Sequence, residues 1–369
     1  MESNGGAEDD VPVGAGVPGI QPWSLAGAAL SAPADVETWK ARKAYPSTLF
    51  AGGPVFGIAR ERAQGGWQLH PHFSGLAPQD ARDRLAADFR TLAAQAAEAG
   101  DADAAAQYTA AADRLDWEPL DELTVAGERY RVVRAERFIR MGPDGPEPPR
   151  GSDPDRTDPA DPPLDPADGL VIDPAETGVA PGVLRVELLA ALRKKGTVPR
   201  DVREDSHTAA RTHPGGVLLP ATFMAAEREG GRWRPQSTGT APTPRDARDS
   251  LAVHLRIMVP WQQELTDAEH EAYKQAADLL DTEQRNELDV AGRHFAIIRV
   301  ERLVRVGPDG PEGPRPSDVD PVPPAMVQER QLQDEEPEPE ETDERALKFI
   351  ELFEEERRRR QHLRQSSQR

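Results

Sequence analysis

The chain has no cysteine, which excludes disulfides, thiolate metal sites and cysteine nucleophiles. Aromatic residues make up only 5% of it. Long apolar runs are missing as well. The longest candidate, around Val217 to Ala226, is interrupted by Pro220 and falls short of the roughly 20 residues that cross a bilayer. No basic residue precedes Lys40, whereas Glu2, Glu8, Asp9 and Asp10 crowd the start, so the charged opening of a secretory signal is lacking. A cytoplasmic protein with no membrane partner is expected.

Proline, glycine and charge are plentiful. With 36 Pro, 30 Gly and 30% charged residues in 369, about two thirds of the chain is expected to fold. The formal net charge of -20 would repel nucleic acid before any contact formed. A neutral or basic protein surface is the easier partner.

Shifting the sequence on itself by about 165 positions aligns Tyr108 to Asp153 with Tyr273 to Asp318, more than half of the positions being identical. Further upstream, Gln79 to Arg90 matches Arg245 to Arg256, and Trp67 falls opposite Trp233. The chain is therefore read as an internal duplication. In each copy a helix begins at Pro78 or Pro244, with Asp80 or Asp246 near the positive end of its dipole. Its apolar stripe is Leu85, Phe89 and Leu92, or Leu251, Leu255 and Met258. A second helix carries Tyr108, Ala112 and Leu115, or Tyr273, Ala277 and Leu280. Hairpins turning at Ala126-Gly127 and Ala291-Gly292 lead into strands through Val132 to Ile139 and Ile297 to Val304, and earlier hairpins surround Trp67 and Trp233.

The fold class expected is α+β: two tandem copies of a β-β-α-α-β-β unit, each an antiparallel sheet with helices on one face. The division expected is a disordered tail over 1–32, a lead-in helix over 33–52, repeat units over 53–153 and 216–325, and a Pro/Asp-rich linker with bridging helices over 154–215. An acidic disordered linker over 326–341 and an amphipathic helix over 342–365 follow.

Candidate sites are few. Arg137 and Arg302 lie on the apolar side of their strands, among Val133, Ala135 and Ile139, or Ile298, Val300 and Val304. Each needs a partner: either a helix carboxylate (Asp83 or Asp113, Asp249 or Asp278) in a buried ion pair, or an anionic ligand. Arg134 with Glu136, and Arg299 with Glu301, read as solvated ladders on the other face. His70 and His72 are close in sequence, but the second copy has Gln236 and Thr238 there and no third ligand is suggested, so no metal is expected. His207 and His213 read as solvated helix residues. GPDGPE, at Gly142 to Glu147 and Gly307 to Glu312, has too many prolines for a phosphate-binding loop and reads as a rigid turn closing the sheet. In the last helix, Phe349, Ile350 and Phe353 form one stripe, suited to docking on its own domain or to binding a partner.

The blocks retained between copies, above all VERLVRVGPDGPEGPRPSDVD at Val300 to Asp320 and the ARDSL helix start at Ala247, resemble the uncharacterised actinobacterial domain-of-unknown-function family 5954, over about residues 50 to 325. That resemblance implies the duplicated arrangement and brings no activity, cofactor or site residue with it. With no catalytic constellation and no cofactor expected, a non-catalytic interaction or regulatory module with a protein partner is the leading expectation. The alternative is an enzyme or small-anion binder with a site between the two units.

Overall fold

The computed structural model describes residues 36–155, 165–173, 179–236, 239–283, 285–334 and 344–366. The expected disordered segment 1–32 and the acidic run from Glu335 to residue 343 lie outside these. The chain opens with α1 over residues 36–44 and β1 (Ser47–Phe50). The first unit follows as β2 (Val55–Glu61), β3 (Trp67–Leu69), α2 (Pro78–Glu98), α3 (Ala102–Trp117), β4 (Glu122–Val125) and β5 (Glu128–Met141). The connector carries β6 (Val171–Ile172), α4 (Val179–Ala190) and α5 (Arg200–Thr212). The second unit runs β7 (Gly215–Glu229), β8 (Arg232–Pro235), α6 (Pro244–Val253), a π-helical turn (His254–Met258), α7 (Val259–Gln262), α8 (Asp267–Thr282), β9 (Glu287–Val290), β10 (Arg293–Gly307) and β11 (Gly310–Pro311). Helices α9 (Ala325–Asp334) and α10 (Glu344–Ser366) end the description. The order β-β-α-α-β-β thus recurs.

Three boundaries differ from the sequence reading. Among the described residues of the lead-in, 36–44 are helical; Pro46 stops the helix, and β1 pairs with β5 through Leu49 opposite Ile139. The start of the acidic linker is α9, because AMVQERQLQD holds good helix formers behind Pro323 and Pro324 and no proline within. The stripe of the second unit's first helix changes register at the π turn. Pro260 has no amide to give the carbonyl four residues back, and Ile257 and Val259 are buried where Met258 was expected.

One antiparallel sheet joins both units in the order β6-β3-β2-β5-β10-β7-β8. At its centre β5 and β10 place Arg137 opposite Arg302, Glu136 opposite Leu303 and Phe138 opposite Glu301. The shift that superimposes the repeats carries Arg137 onto Arg302, so a local twofold axis passes between them. Strand alternation sends Arg134, Glu136 and Phe138 to one face and Val133, Ala135 and Arg137 to the other. Phe138 and Leu303 pack on Leu184 and Leu188 of α4. On the flanks, Leu85, Phe89 and Leu115 cover Ile58 and Tyr130, while Leu251, Leu255 and Leu280 cover Phe295 and Ile297.

The chain after each GPDGPE turn crosses to the other unit. The Arg134 amide donates to Glu312 O (2.9 Å) and the Arg299 amide to Glu147 O (2.8 Å). Arg134 pairs with Asp318 (2.8 Å), and Arg299 with Asp153 (3.0 Å). Arg315 reaches Glu136 (3.0 Å), and Arg150 reaches Glu301 (3.4 Å). Asp320 accepts from the Gln79 amide (3.0 Å) and Asp155 from the Arg245 amide (2.7 Å). Each unit thereby caps the first turn of the other's helix, where amides have no intrahelical acceptor. Gly145 and Gly310, both at positive φ, lie against Trp233 and Trp67 of the opposite unit; a Cβ would fall 2.8 Å and 2.3 Å from the indole nitrogens. The supposed solvated ladders are therefore buried: Arg134 is 3% exposed and Glu136 2%. Burial pushes the Glu136 carboxyl up, but Arg315, Arg134 and Arg305 together hold it below its ordinary value.

This exchange predicts where damage will appear. Asp318→Ala, a change in the second unit's segment, leaves the first unit's Arg134 buried without its main carboxylate. It should cost about 3 kcal/mol in urea unfolding, as should Asp153→Ala at the mirror position. A loss within the range of ordinary surface substitutions for both would refute the reciprocal network.

Candidate functional site

The central arginines are held by backbone. Between β1 and β2 the Gly52-Gly53-Pro54 break interrupts pairing with β5, and β7 has a bulge at the corresponding place. Thr222 pairs with Val300, but Leu219 already pairs with Arg302, leaving Pro220 and Ala221 displaced from regular pairing. Both irregularities turn a carbonyl toward an arginine. Gly53 O accepts from Arg137 Nε (2.8 Å). Pro220 O accepts from Arg302 Nε (3.0 Å) and Nη2 (2.9 Å), and Phe73 O from Arg302 Nη1 (3.0 Å).

The helix carboxylates proposed as partners are used elsewhere or stand outside. Asp83 accepts from Gln79, Asp249 from Arg245, and Asp278 from Arg256, while Asp113 is exposed. Burial lowers the pKa of Arg137. It pulls Arg302 down to about 10, against the field of Asp165, so the guanidinium stays charged at neutral pH. Three of the five N–H bonds of Arg302 are spent on carbonyls, and two remain without an acceptor among the described residues.

Arg302 is 2% exposed and forms part of the wall of a cavity of about 420 Å³ between the units. His72 and Ser74 come from the first unit, Asp165 and Asp168 from the connector, and Thr222 from β7. Thr222 is buried, and its Oγ1 has no hydrogen-bond partner among the described residues. His72 has φ 68°, an uncommon left-handed conformation. Asp165 and Asp168 are fixed by a turn in which Asp165 Oδ1 accepts the Ala167 amide (3.0 Å) and its carbonyl accepts the Asp168 amide (3.0 Å). The first unit has no such corner, since the residue opposite Ala135, the counterpart of Val300, is Val55. Thr222 does not stand out in the sequence, because a threonine in one strand where the other unit has valine is an ordinary β-branched choice.

Next to this cavity is a second of about 440 Å³, lined by Gln236, Asp246, Ser250 and His254. His254 opens the π turn, and its buried Nε2 has no partner among the described residues. Burial lowers its pKa, helped by Arg293 and opposed by Glu227. The first unit has Asp88 at that helix position, hydrogen-bonded to His70 (3.1 Å). Among the described residues no group of three or more His, Asp or Glu could hold a metal ion. His213 also departs from expectation: it caps the end of α5, is half-buried, and burial lowers its pKa.

Helix α10 lies on the second unit. Phe349 stacks on Trp261 (4.8 Å) and Phe353 (4.9 Å). Glu356 accepts from Arg256 (2.7 Å), Arg359 bonds Asp281 (2.6 Å) and Asp278 (2.8 Å), and Arg360 reaches Asp249 (3.3 Å). Ile350 and Phe353, 54% and 40% exposed, border an open groove of about 600 Å³ shared with Val253. One member of the predicted stripe is thus used within the chain and two are left partly uncovered.

The fold defines an antiparallel α+β protein of two like units with a cavity at their junction. No described helix is long and apolar enough to cross a membrane. No curated protein and no solved structure matches the chain. The chain belongs to a family of unknown function, DUF5954, whose model matches residues 28–321. The match takes in both units and the cavity and ends before α9 and α10.

Two outcomes follow from these contacts. Asp281→Asn removes the carboxylate charge shared by Arg256 and Arg359 and should speed proteolysis within residues 344–366, leaving the core resistant; unchanged cleavage would refute the docking of α10 through these arginines. Because His254 has a lower pKa folded than unfolded, its effect on stability is nil well above about pH 6.5. As pH falls through 6.5 the unfolded chain takes the proton first and stability drops. His254→Gln should therefore flatten the stability loss between about pH 7 and pH 5 in denaturant titrations, and equal slopes would count against it.

Proposed function

We propose that this protein binds a small anionic ligand in the cavity between its two units, with Arg302 as the charge partner and Thr222 as the group that orients it. The observation that carries this reading is the Thr222 hydroxyl, buried with no hydrogen-bond partner among the described residues on the same wall as a charged guanidinium whose hydrogen bonds, among the described residues, all go to carbonyl oxygens. A buried unsatisfied hydroxyl costs about 1–3 kcal/mol, and a ligand acceptor would recover that loss. Chemistry is less well served than binding, because among the described residues neither Thr222 nor Ser74 has a side-chain hydrogen bond to a base. The interaction-module reading keeps one supporting feature, the uncovered groove beside Ile350 and Phe353. Its stripe is already partly engaged through Phe349 and lies outside the family match.

Thr222→Val tests the reading, since valine is the residue at the matching place in the first unit. Stability should rise by about 1 kcal/mol, while saturable binding of short carboxylates or inorganic phosphate, followed calorimetrically, weakens. A stability gain with binding unchanged, or no saturable binding to the parent protein, would overturn it.

A further inference from the structure

The anion reading leaves one feature of the cavity unexplained, namely its two carboxylates. Asp165 is near enough to act electrostatically on Arg302, yet no ion pair within 4.0 Å joins them among the described residues. Asp168 stands exposed on the same wall. A plain anion seated on Arg302 would face both aspartates, and to arrive it would have to approach a chain of net charge -20. A neutral ligand would leave the guanidinium's two remaining N–H bonds without an acceptor of full charge.

Resting on the anion reading of this cavity, we infer that its ligand is a small amino-carboxylate zwitterion, its carboxylate on Arg302 and Thr222 and its ammonium on Asp165, with Asp168 at the mouth. Such a molecule has no net charge, so the field of the protein does not exclude it. Its two ends answer the two opposite charges that the wall keeps apart. The backbone fixes both poles: Pro220 and Phe73 carbonyls hold the guanidinium, and the Ala167 amide holds one oxygen of Asp165, leaving the other for an ammonium. A cavity of about 420 Å³ suits a small molecule and not a polymer.

Three matched probe sets separate the possibilities: glycine, 3-aminopropanoate and 4-aminobutanoate; acetate, propanoate and butanoate; and the corresponding alkylamines. Each is titrated calorimetrically into the full chain at constant pH and ionic strength. At least one amino-carboxylate should bind about tenfold or more tightly than the carboxylate of equal length. Asp165→Asn should erase that advantage while leaving carboxylate affinity equal or higher, and Asp168→Asn should reduce it less. Thermal unfolding of both variants checks that the connector turn survives; Asp168→Asn, at an exposed residue, keeps the test open if Asp165→Asn does not fold. Equal binding of carboxylate and amino-carboxylate would overturn the zwitterion and leave the anion reading standing. Amines binding as well as the zwitterions, indifferently to Arg302→Lys, would overturn both, as would no binding by any probe.

Discussion

Two guanidiniums set directly opposite each other on one face of a sheet should repel, and the pairing of β5 with β10 puts Arg137 and Arg302 in that position. The structure around them answers this constraint. Each side chain finds backbone oxygen on its own unit's irregular strand, Gly53 in one case and Pro220 in the other. The glycine-proline break and the β7 bulge are the devices that turn those oxygens inward. A regular ladder at either place would spend the same carbonyl on the neighbouring strand.

The repeat supplies the second constraint. Because the axis passes through the arginine pair, whatever one unit offers, the other receives. The segments after the GPDGPE turns lie over the opposite unit, bringing Asp153 to Arg299 and Arg150 to Glu301, and Asp318 to Arg134 and Arg315 to Glu136. Neither unit contains all the groups that satisfy its own buried charges. Buried ion pairs of this kind add little net stability over apolar packing but penalise alternatives heavily. Here the disfavoured alternative is either unit folded apart from its counterpart.

Much of this was legible in the sequence, and the divide has a physical cause. Local signals held: Pro78 and Pro244 start helices, and Ala126-Gly127 and Ala291-Gly292 turn with positive φ. Alternation placed Arg137 and Arg302 on an apolar face. It could not show that the opposite face was covered too, because the cover for Arg134 and Glu136 comes from more than 170 residues away in sequence. For the same reason Asp249 looked like a natural partner for Arg302, whose hydrogen bonds among the described residues go instead to the Pro220 and Phe73 carbonyls. The cavity was hidden for a subtler reason: a threonine in place of Val55 reads as an ordinary strand residue, and only the fold sets its hydroxyl beside Arg302 with no hydrogen-bond partner among the described residues.

Where one of two like units departs from the other, the departure needs a cause that their likeness does not supply. The arginines and the exchanged carboxylates are kept in both units because the shared sheet cannot close without them, so they say little about activity. Thr222 against Val55, and His254 against Asp88, are differences that the sheet does not require. Apolar valine is the better residue for a closed core, as the first unit illustrates with Val55 buried among Val133 and Ala135. The second unit instead keeps a hydroxyl there at a cost in stability, beside a guanidinium with hydrogen-bonding capacity to spare and at the junction where the connector adds Asp165. A polar group that weakens the fold in one copy and is absent from the other is what the proposed ligand would account for.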